Sequence, residues 1–217
     1  MRTHPARSRR QAGFSFVEVL VVMGIIAVLA GLGTLVVQIW IKRGPKVQTQ
    51  DTVNKVKALA DAWKLRHGFY PPVRLQDIQK AAGDVGPLIK HSGNGENEGI
   101  ETLYQALYWP SFGTDAELSE EKELSNTDDD QLAQAATSRG TALREIKDGW
   151  GNPLVYFVNT SYVQADRDPP VYQSLRGPVQ PRPWKEEAGG FVNPNGFQLF
   201  SMGEDGEPNT EDDIKGW

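Results

Sequence analysis

The sequence predicts an α+β fold, in which one long N-terminal helix packs on a small antiparallel β-sheet and an acidic loop closes the C-terminus. Three observations predict it. An uncharged run over residues 19–37 passes into a stretch whose apolar residues recur at three- and four-residue steps. Two β-rich runs, 154–158 and 196–201, lie late in the chain between Gly- and Pro-rich turns. Beyond the second run, carboxylates cluster at both ends of a Gly/Pro/Asn turn flanked by the apolar anchors Phe200, Ile214 and Trp217.

The first 13 residues carry Arg2, Arg7, Arg9 and Arg10 and no acid, and the apolar run starts directly after Gly13. The 28 residues 14–41 make a helix of about 42 Å at ~1.5 Å per residue, longer than a ~30 Å hydrocarbon core. Lys42 and Arg43 end the run. The basic flank stays cytoplasmic by the positive-inside rule, sending the C-terminal body across the membrane. A secretory signal has an apolar stretch of about 7–15 residues followed by a small-x-small cleavage site. Here the stretch is roughly twice as long and residues 39–44 lack that site. Glu18 sits inside the run, where a carboxylate is costly unless neutralised or paired.

The chain's net charge is −5, and the basic leader makes the rest more acidic still. An acidic body without a basic stripe argues against nucleic acid as partner. There is no cysteine, so no disulfide, thiol nucleophile or Cys-ligated zinc is available. The histidines, His4, His67 and His91, are scattered.

Residues 42–67 are amphipathic. Val53, Val56, Leu59, Ala60 and Trp63 mark the apolar face, while Asp51, Asn54, Lys55, Lys57, Asp61 and Lys64 fall between them. The whole helix, 14–67, has an expected length of about 80 Å. Gly44-Pro45 predicts a kink or break within it, Gly68 is its stop, and Tyr70-Pro71-Pro72 prevents continuation. Gly24, Gly31 and Gly33 allow close helix approach or simply loosen the helix.

Residues 68–147 form a variable region. Residues 115–130 hold eight acidic residues and one lysine, a composition that predicts a mobile, solvated stretch. Asp128-Asp129-Asp130 offers oxygens to a cation, but a bare acid run is ordinarily a solvated loop. Residues 132–146 read as a short helix.

The last region, 148–217, opens on the turn cluster Asp148-Gly149-Trp150-Gly151-Asn152-Pro153. Strand 154–158, a Pro-rich loop over 168–183 and strand 196–201 follow. In the terminal loop, Asp205, Glu211, Asp212 and Asp213 supply the hard oxygens that calcium takes six to eight at a time. The spacing is not that of an EF-hand, since Asp205 has no Asp or Asn two residues on. No phosphate loop, Gly-x-Ser-x-Gly, His-Glu-x-x-His or dinucleotide fingerprint occurs, so catalysis is not expected.

Gly13-Phe14-Ser15-Phe16-Val17-Glu18 resembles the type IV prepilin motif. The resemblance implies cleavage between Gly13 and Phe14 by a prepilin peptidase and N-methylation of Phe14. It also implies assembly through Glu18, whose carboxylate would meet the new amine of a neighbouring subunit. Arg66-His67-Gly68-Phe69-Tyr70-Pro71 resembles the turn after the long helix of pseudopilins. Gly99 to Leu107 is similar to their Gly-Leu-x-x-Leu helix, displaced by an extra stretch over 73–98, and the likeness implies a short helix over 99–107 with Leu103, Leu107 and Tyr104 toward the core. Asp148 to Pro153 is similar to the Asp-Pro-Trp-Gly-Asn-Pro motif of the major pseudopilin, with Gly149 where proline is usual. Leu35 stands where that family has a mid-helix proline.

The terminal loop resembles the calcium loop of major pseudopilins. That likeness implies ligation by Asp205, Asp213, one of Glu211 and Asp212, and the carbonyls of Phe200 and Ser201. Ca²⁺ would then staple a chain without disulfides. Taken together, the resemblance implies a pilin-like major pseudopilin of a type II secretion system. It would pass once through the bacterial inner membrane and polymerise into a periplasmic filament that drives protein export. Its partners would be copies of itself, minor pseudopilins, the prepilin peptidase and the inner-membrane assembly platform. Rival readings are a minor pseudopilin or type IV pilin, a tethered calcium-binding module that never assembles, and a tethered hydrolase.

Overall fold

A computed structural model describes residues 15–82, 94–108, 118–131 and 142–217, apart from the side chains of 30–42 and 79–82. The leader, Gly13 and Phe14 lie outside the described residues, as do 83–93, 109–117 and 132–141. The fold is α+β. Helix α1 covers Phe16–His67, α2 Leu75–Ala82, α3 Glu98–Leu107 and α4 Tyr162–Arg167. Among the described residues seven short strands accompany them: β1 Leu124–Ser125, β2 Glu145–Ile146, β3 Val155–Val158, β4 Tyr172–Ser174, β5 Gly177–Val179, β6 Phe197–Ser201 and β7 Ile214–Lys215. Contacts divide the chain into two units, Met1–Arg43 and Gly44–Trp217.

In the first unit every described side chain from Ser15 to Leu29 is exposed, among them Phe16, Leu20, Ile25 and Ile26. A helix apolar on all sides needs lipid or other helices around it. Among the described residues, no helix is long and apolar enough to cross a membrane. The expected span over 14–41 includes Phe14 and the side chains of 30–42, which lie outside that description.

The second unit has its own core. Val53, Val56, Ala60 and Trp63 of α1 are buried at the spacing read from sequence, with Leu59 packed beside them. Against this face lie Ile100, Leu103, Tyr104 and Leu107 of α3 and the β3 and β6 strands, whose residues are all buried. Strand order is β3-β6-β7, antiparallel throughout, with Tyr156 opposite Leu199 and Ser201 opposite Ile214. Two further antiparallel pairs, β1-β2 and β4-β5, flank it. The single sheet expected is thus three small ones. Helix α1 ends where the sequence indicates: Gly68, at φ +84°, donates its N–H to Lys64 O at 2.7 Å.

Three expectations are corrected. The helix is not broken at Gly44-Pro45, since α1 runs through Pro45. Pro45 removes one backbone donor, and its own carbonyl accepts the Thr49 hydroxyl at 2.7 Å. Residues 142–146, the end of the expected helix 132–146, are extended: Ala142 bridges Gln131, and Glu145–Ile146 pairs with β1. Leu143, Glu145 and Ile146 are all buried and Arg144 is half-buried, so the short extended segment buries side chains on both of its faces. The acidic stretch is not simply solvated, because Leu118 and Leu124 enter the core and Asp130 is only 8% exposed. Two leucines six residues apart anchor the segment; Glu120, Glu121 and Asp129 stay exposed, while Glu123 and Asp128 are half-buried and Asp130 is buried with it.

Gly149 also finds its reason. Its N–H donates to Thr49 Oγ1 at 2.9 Å, and a Cβ there would strike Pro45 O. Proline at this position has no N–H to give and no room for its ring.

Candidate functional site

Two of the three places that bear on function were expected, and the third was not. At the start of α1, the Ser15 N–H donates to Glu18 Oε2 at 2.8 Å. Ser15 is then the N-cap and Glu18 the third residue of the helix, half of a capping box. The isolated chain therefore gives the glutamate a local partner before any neighbour arrives. Gly13 and Phe14 lie outside the described residues.

The C-terminal loop is closed. Gly203 and Gly206 adopt φ of +66° and +69°, and Asn209 joins them at +66°, so successive N–H groups turn inward. Asp212 receives them: its Oδ2 accepts from Glu204 N at 2.7 Å and Asp205 N at 3.2 Å, and its Oδ1 accepts from Thr210 Oγ1 at 2.6 Å. These bonds hold its carboxyl below the usual range, against the opposing effect of burial. Its carboxylate lies where a Cβ on Gly203 would be. Asp213 accepts from Asn209 N at 2.9 Å and is pushed up to about 6 by burial. Asp205 Oδ1 accepts from Glu207 N at 2.8 Å, and Glu211 is exposed.

Gly216 N donates to Leu199 O, Trp217 meets Phe200 edge to face at 6.2 Å, and Ile214 is buried, so the anchors do hold the loop's far end. Phe200 and Ser201 lie in β6 beside β7, and the Ser201 hydroxyl donates to buried Asp148 at 2.6 Å. Asp212 has its oxygens engaged by the loop itself, whereas Asp205 and Asp213 each keep one oxygen with at most a weak donor. The expected ligands Asp205, Glu211, Asp212 and Asp213 are not among the carboxylates that converge in threes within 4.8 Å among the described residues.

At the third place, the sequence reading leaves Asp128 and Asp130 in a solvated loop and misses Glu101. Glu101 on α3 and Asp128 and Asp130 after β1 bring one carboxylate oxygen each within 4.8 Å of one another. Among the described residues this is where three carboxylates converge so closely. Asn94 steadies the aspartates, its N–H donating to Asp130 Oδ2 at 3.3 Å and its side-chain amide to Asp128 Oδ2 at 3.1 Å. Glu145, fully buried on β2, accepts at Oε1 from Thr127 N, Thr127 Oγ1 and Asn97 Nδ2 at 2.9, 2.9 and 3.1 Å. Burial, then the nearby Asp130 and Asp128 charges, push Glu101 up to about 10; burial followed by Asp128 pushes Asp130 to about 6. Besides the Asp128-Asp129-Asp130 run, the sequence held a signal for Glu101. Glu101 and Gln105 are a polar pair four residues apart on a short helix otherwise flanked by Ile100, Leu103 and Leu107.

Residues 8–34 match a protein-family profile described as the prokaryotic N-terminal methylation motif. This is a type IV pilin-like prepilin signal, of the kind carried by pilin and pseudopilin subunits. It implies processing by a prepilin peptidase and assembly into pilus-like polymers. No curated protein and no solved structure matches the chain.

Proposed function

We propose that this chain is a structural, non-catalytic subunit of a periplasmic pseudopilus, of the major-pseudopilin kind in a type II secretion system. The observation that carries the reading is the prepilin-type motif over residues 8–34, with its Gly13-Phe14 junction and Glu18. A prepilin peptidase cuts after Gly13, Phe14 becomes the methylated N-terminus, and the exposed apolar part of α1 remains with the mature chain. The chain passes once through the inner membrane with unit 44–217 in the periplasm. Its partners are its own copies, minor pseudopilins and the assembly platform. Supporting this, unit 44–217 has the resembled arrangement of an amphipathic helix on a short antiparallel sheet, followed by a closed acidic loop.

Calcium in that loop is part of the proposal. Asp205 and Asp213 are the carboxylate ligands, with carbonyls of Phe200 and Ser201 beside them. Asp212 shapes the loop by gathering its amides, and exposed Glu211 takes no part. Calcium would supply the positive charge that the buried Asp213 carboxylate lacks.

The capping contact of Glu18 supports a second reading, a tethered module in which this residue only starts the helix. Glu18→Gln separates the two, because glutamine still accepts the Ser15 N–H but cannot pair with an amine. Filament incorporation lost in both Glu18→Gln and Glu18→Ala fits assembly through charge. Incorporation intact in Glu18→Gln rejects it. Mass spectrometry of the native chain gives the companion test: the expected first residue is methyl-Phe14, and a chain still beginning at Met1 overturns the filament assignment.

A further inference from the structure

We propose that Glu101, Asp128 and Asp130 bind a divalent oxygen-seeking cation, calcium by its chemistry, which ties the acidic segment to α3. The site is separate from the C-terminal loop and independent of the function proposed above. Oxygens sharing one calcium ion at about 2.3–2.6 Å stand at most ~5 Å apart. The three carboxylates already meet that limit, with one oxygen of each inside 4.8 Å.

The surrounding hydrogen bonds leave the right atoms over. Each aspartate has Oδ2 held by Asn94, while Oδ1 of Asp128 and of Asp130 is buried without a partner. Glu101 is 1% exposed and its Oε1 is likewise unpartnered. A buried carboxylate oxygen with no donor is expensive. Two further groups point the same way. Gln105, one turn along α3 and 1% exposed, fixes its Nε2 on Ala142 O and leaves Oε1 free. Fully buried Glu145 has its donors on Oε1 and none on Oε2, and Asn97 Nδ2, which holds it, also reaches Asp128 Oδ2 at 3.5 Å. Backbone and side-chain donors of Asn94, Asn97 and Thr127 thus orient Asp128, Asp130 and Glu145 from one side and leave acceptors unanswered on the other.

The donor set is all oxygen, with neither sulfur nor imidazole, which selects a hard cation. Ligands drawn from a helix and an irregular turn suit calcium's loose geometry better than magnesium's strict octahedron. The competing occupant is a proton shared between Glu101 and Asp130.

The experiment uses the purified full chain in detergent, stripped of metal, with Ca²⁺ titrated into thermal melts and calorimetry. Asp213→Asn first disables the C-terminal loop, so that failure of the loop's calcium and failure of this site are read apart. In that background the expected result is a Ca²⁺-dependent rise in melting temperature. Adding Glu101→Gln or Asp130→Asn is expected to abolish the rise or demand at least about tenfold more Ca²⁺. Glutamine has the shape of neutral glutamic acid, so Glu101→Gln folds even where Asp130→Asn does not, and it carries the test alone. A chain bearing Asp213→Asn that ignores Ca²⁺, or a response surviving Glu101→Gln, overturns the site in favour of the shared proton. An equal response to Mg²⁺ overturns the choice of calcium.

Discussion

The loop after β6 and the segment around β1 are both crowded with aspartate and glutamate, yet their carboxylates have different company. In the loop, residues at positive φ aim backbone N–H groups inward, and Asp205, Asp212 and Asp213 each accept at least one. Around β1, apolar Leu118 and Leu124 pull the segment against the core, so the acids face α3 and one another. Similar composition therefore gives opposite electrostatics, and what decides is where the glycines and leucines stand. An acid run whose backbone turns on itself is satisfied locally. One pinned down by leucines needs donors from elsewhere, and here these are Asn94, Asn97 and Thr127.

Removing the donor that joins most segments breaks the second arrangement. Asn97 is fully buried at φ +51°, its amide holds Glu145 Oε1, and its carbonyl oxygen accepts the Gln173 N–H at 2.9 Å. Asn97→Ala leaves a carboxylate and an amide short of partners and places a Cβ-bearing residue with no local hydrogen bond in the left-handed region. The expected loss is about 3–5 kcal/mol, measured by denaturant unfolding. A loss under about 1 kcal/mol means Glu145 is otherwise compensated.

Both acids shifted most around β1 move upward, whereas the loop holds one acid shifted each way. Glu101 is raised from 4.5 to about 10 when folded. Its contribution is whole below 4.5, where both states are protonated, and is lost as pH rises toward 10. Asp130, raised from 3.8 to about 6, loses its share earlier, as pH climbs through 6. Asp212 is lowered, so its contribution is present above 3.8 and lost on acidification through its folded value. Asp213, raised to about 6, acts in the opposite direction. In chelator, the melting temperature is expected to fall by roughly 5 °C or more between pH 5 and pH 8. Saturating Ca²⁺ should flatten that slope, and a metal-free chain most stable at pH 8 contradicts the burial assigned to Glu101.

Much of the fold was legible because it follows periodicity. The spacing of Val53, Val56, Ala60 and Trp63 located α1's buried face, Gly68 its end, and two β-rich runs the β3 and β6 strands. The acidic segment misled because composition reports solvation only when nothing else anchors the chain, and Leu118 and Leu124 did. Residues 142–146 misled because Ala142, Leu143 and Ile146 have the three- and four-residue spacing of a helix face, whereas the segment buries both faces of an extended chain. The C-terminal loop was legible as closed through Ile214 and Trp217. Asp212's role was not, because it depends on the handedness of Gly203, which a sequence does not display. The carboxylate cluster was hidden because Glu101, Asp128 and Glu145 come together only through tertiary pairing.

Gly203 gives the loop's side of the comparison a smaller test. At φ +66°, with the Asp212 carboxylate where its Cβ would stand, Gly203→Ala strains the backbone and displaces the acceptor of the Glu204 and Asp205 amides. About 1–3 kcal/mol is expected to be lost, with faster hydrogen exchange at those amides. Unchanged exchange would show that Asp212 is not what orders the loop.

The smallest effect is expected where the acidic segment touches α1 at the surface. Lys55 Nζ lies 3.0 Å from Glu123 Oε2, and the lysine side chain is 38% exposed. Water and salt screen such a pair, so Lys55→Ala should cost at most about 1 kcal/mol, and less as salt is raised. Glu123 also accepts the Ser119 N–H at 2.7 Å, a bond the substitution leaves in place. The segment should therefore stay docked through Leu118 and Leu124, and calcium binding at Glu101, Asp128 and Asp130 should be unchanged in the variant. If Lys55→Ala instead abolishes Ca²⁺ binding, then charge from α1, rather than the two leucines, is what holds the acidic segment against α3.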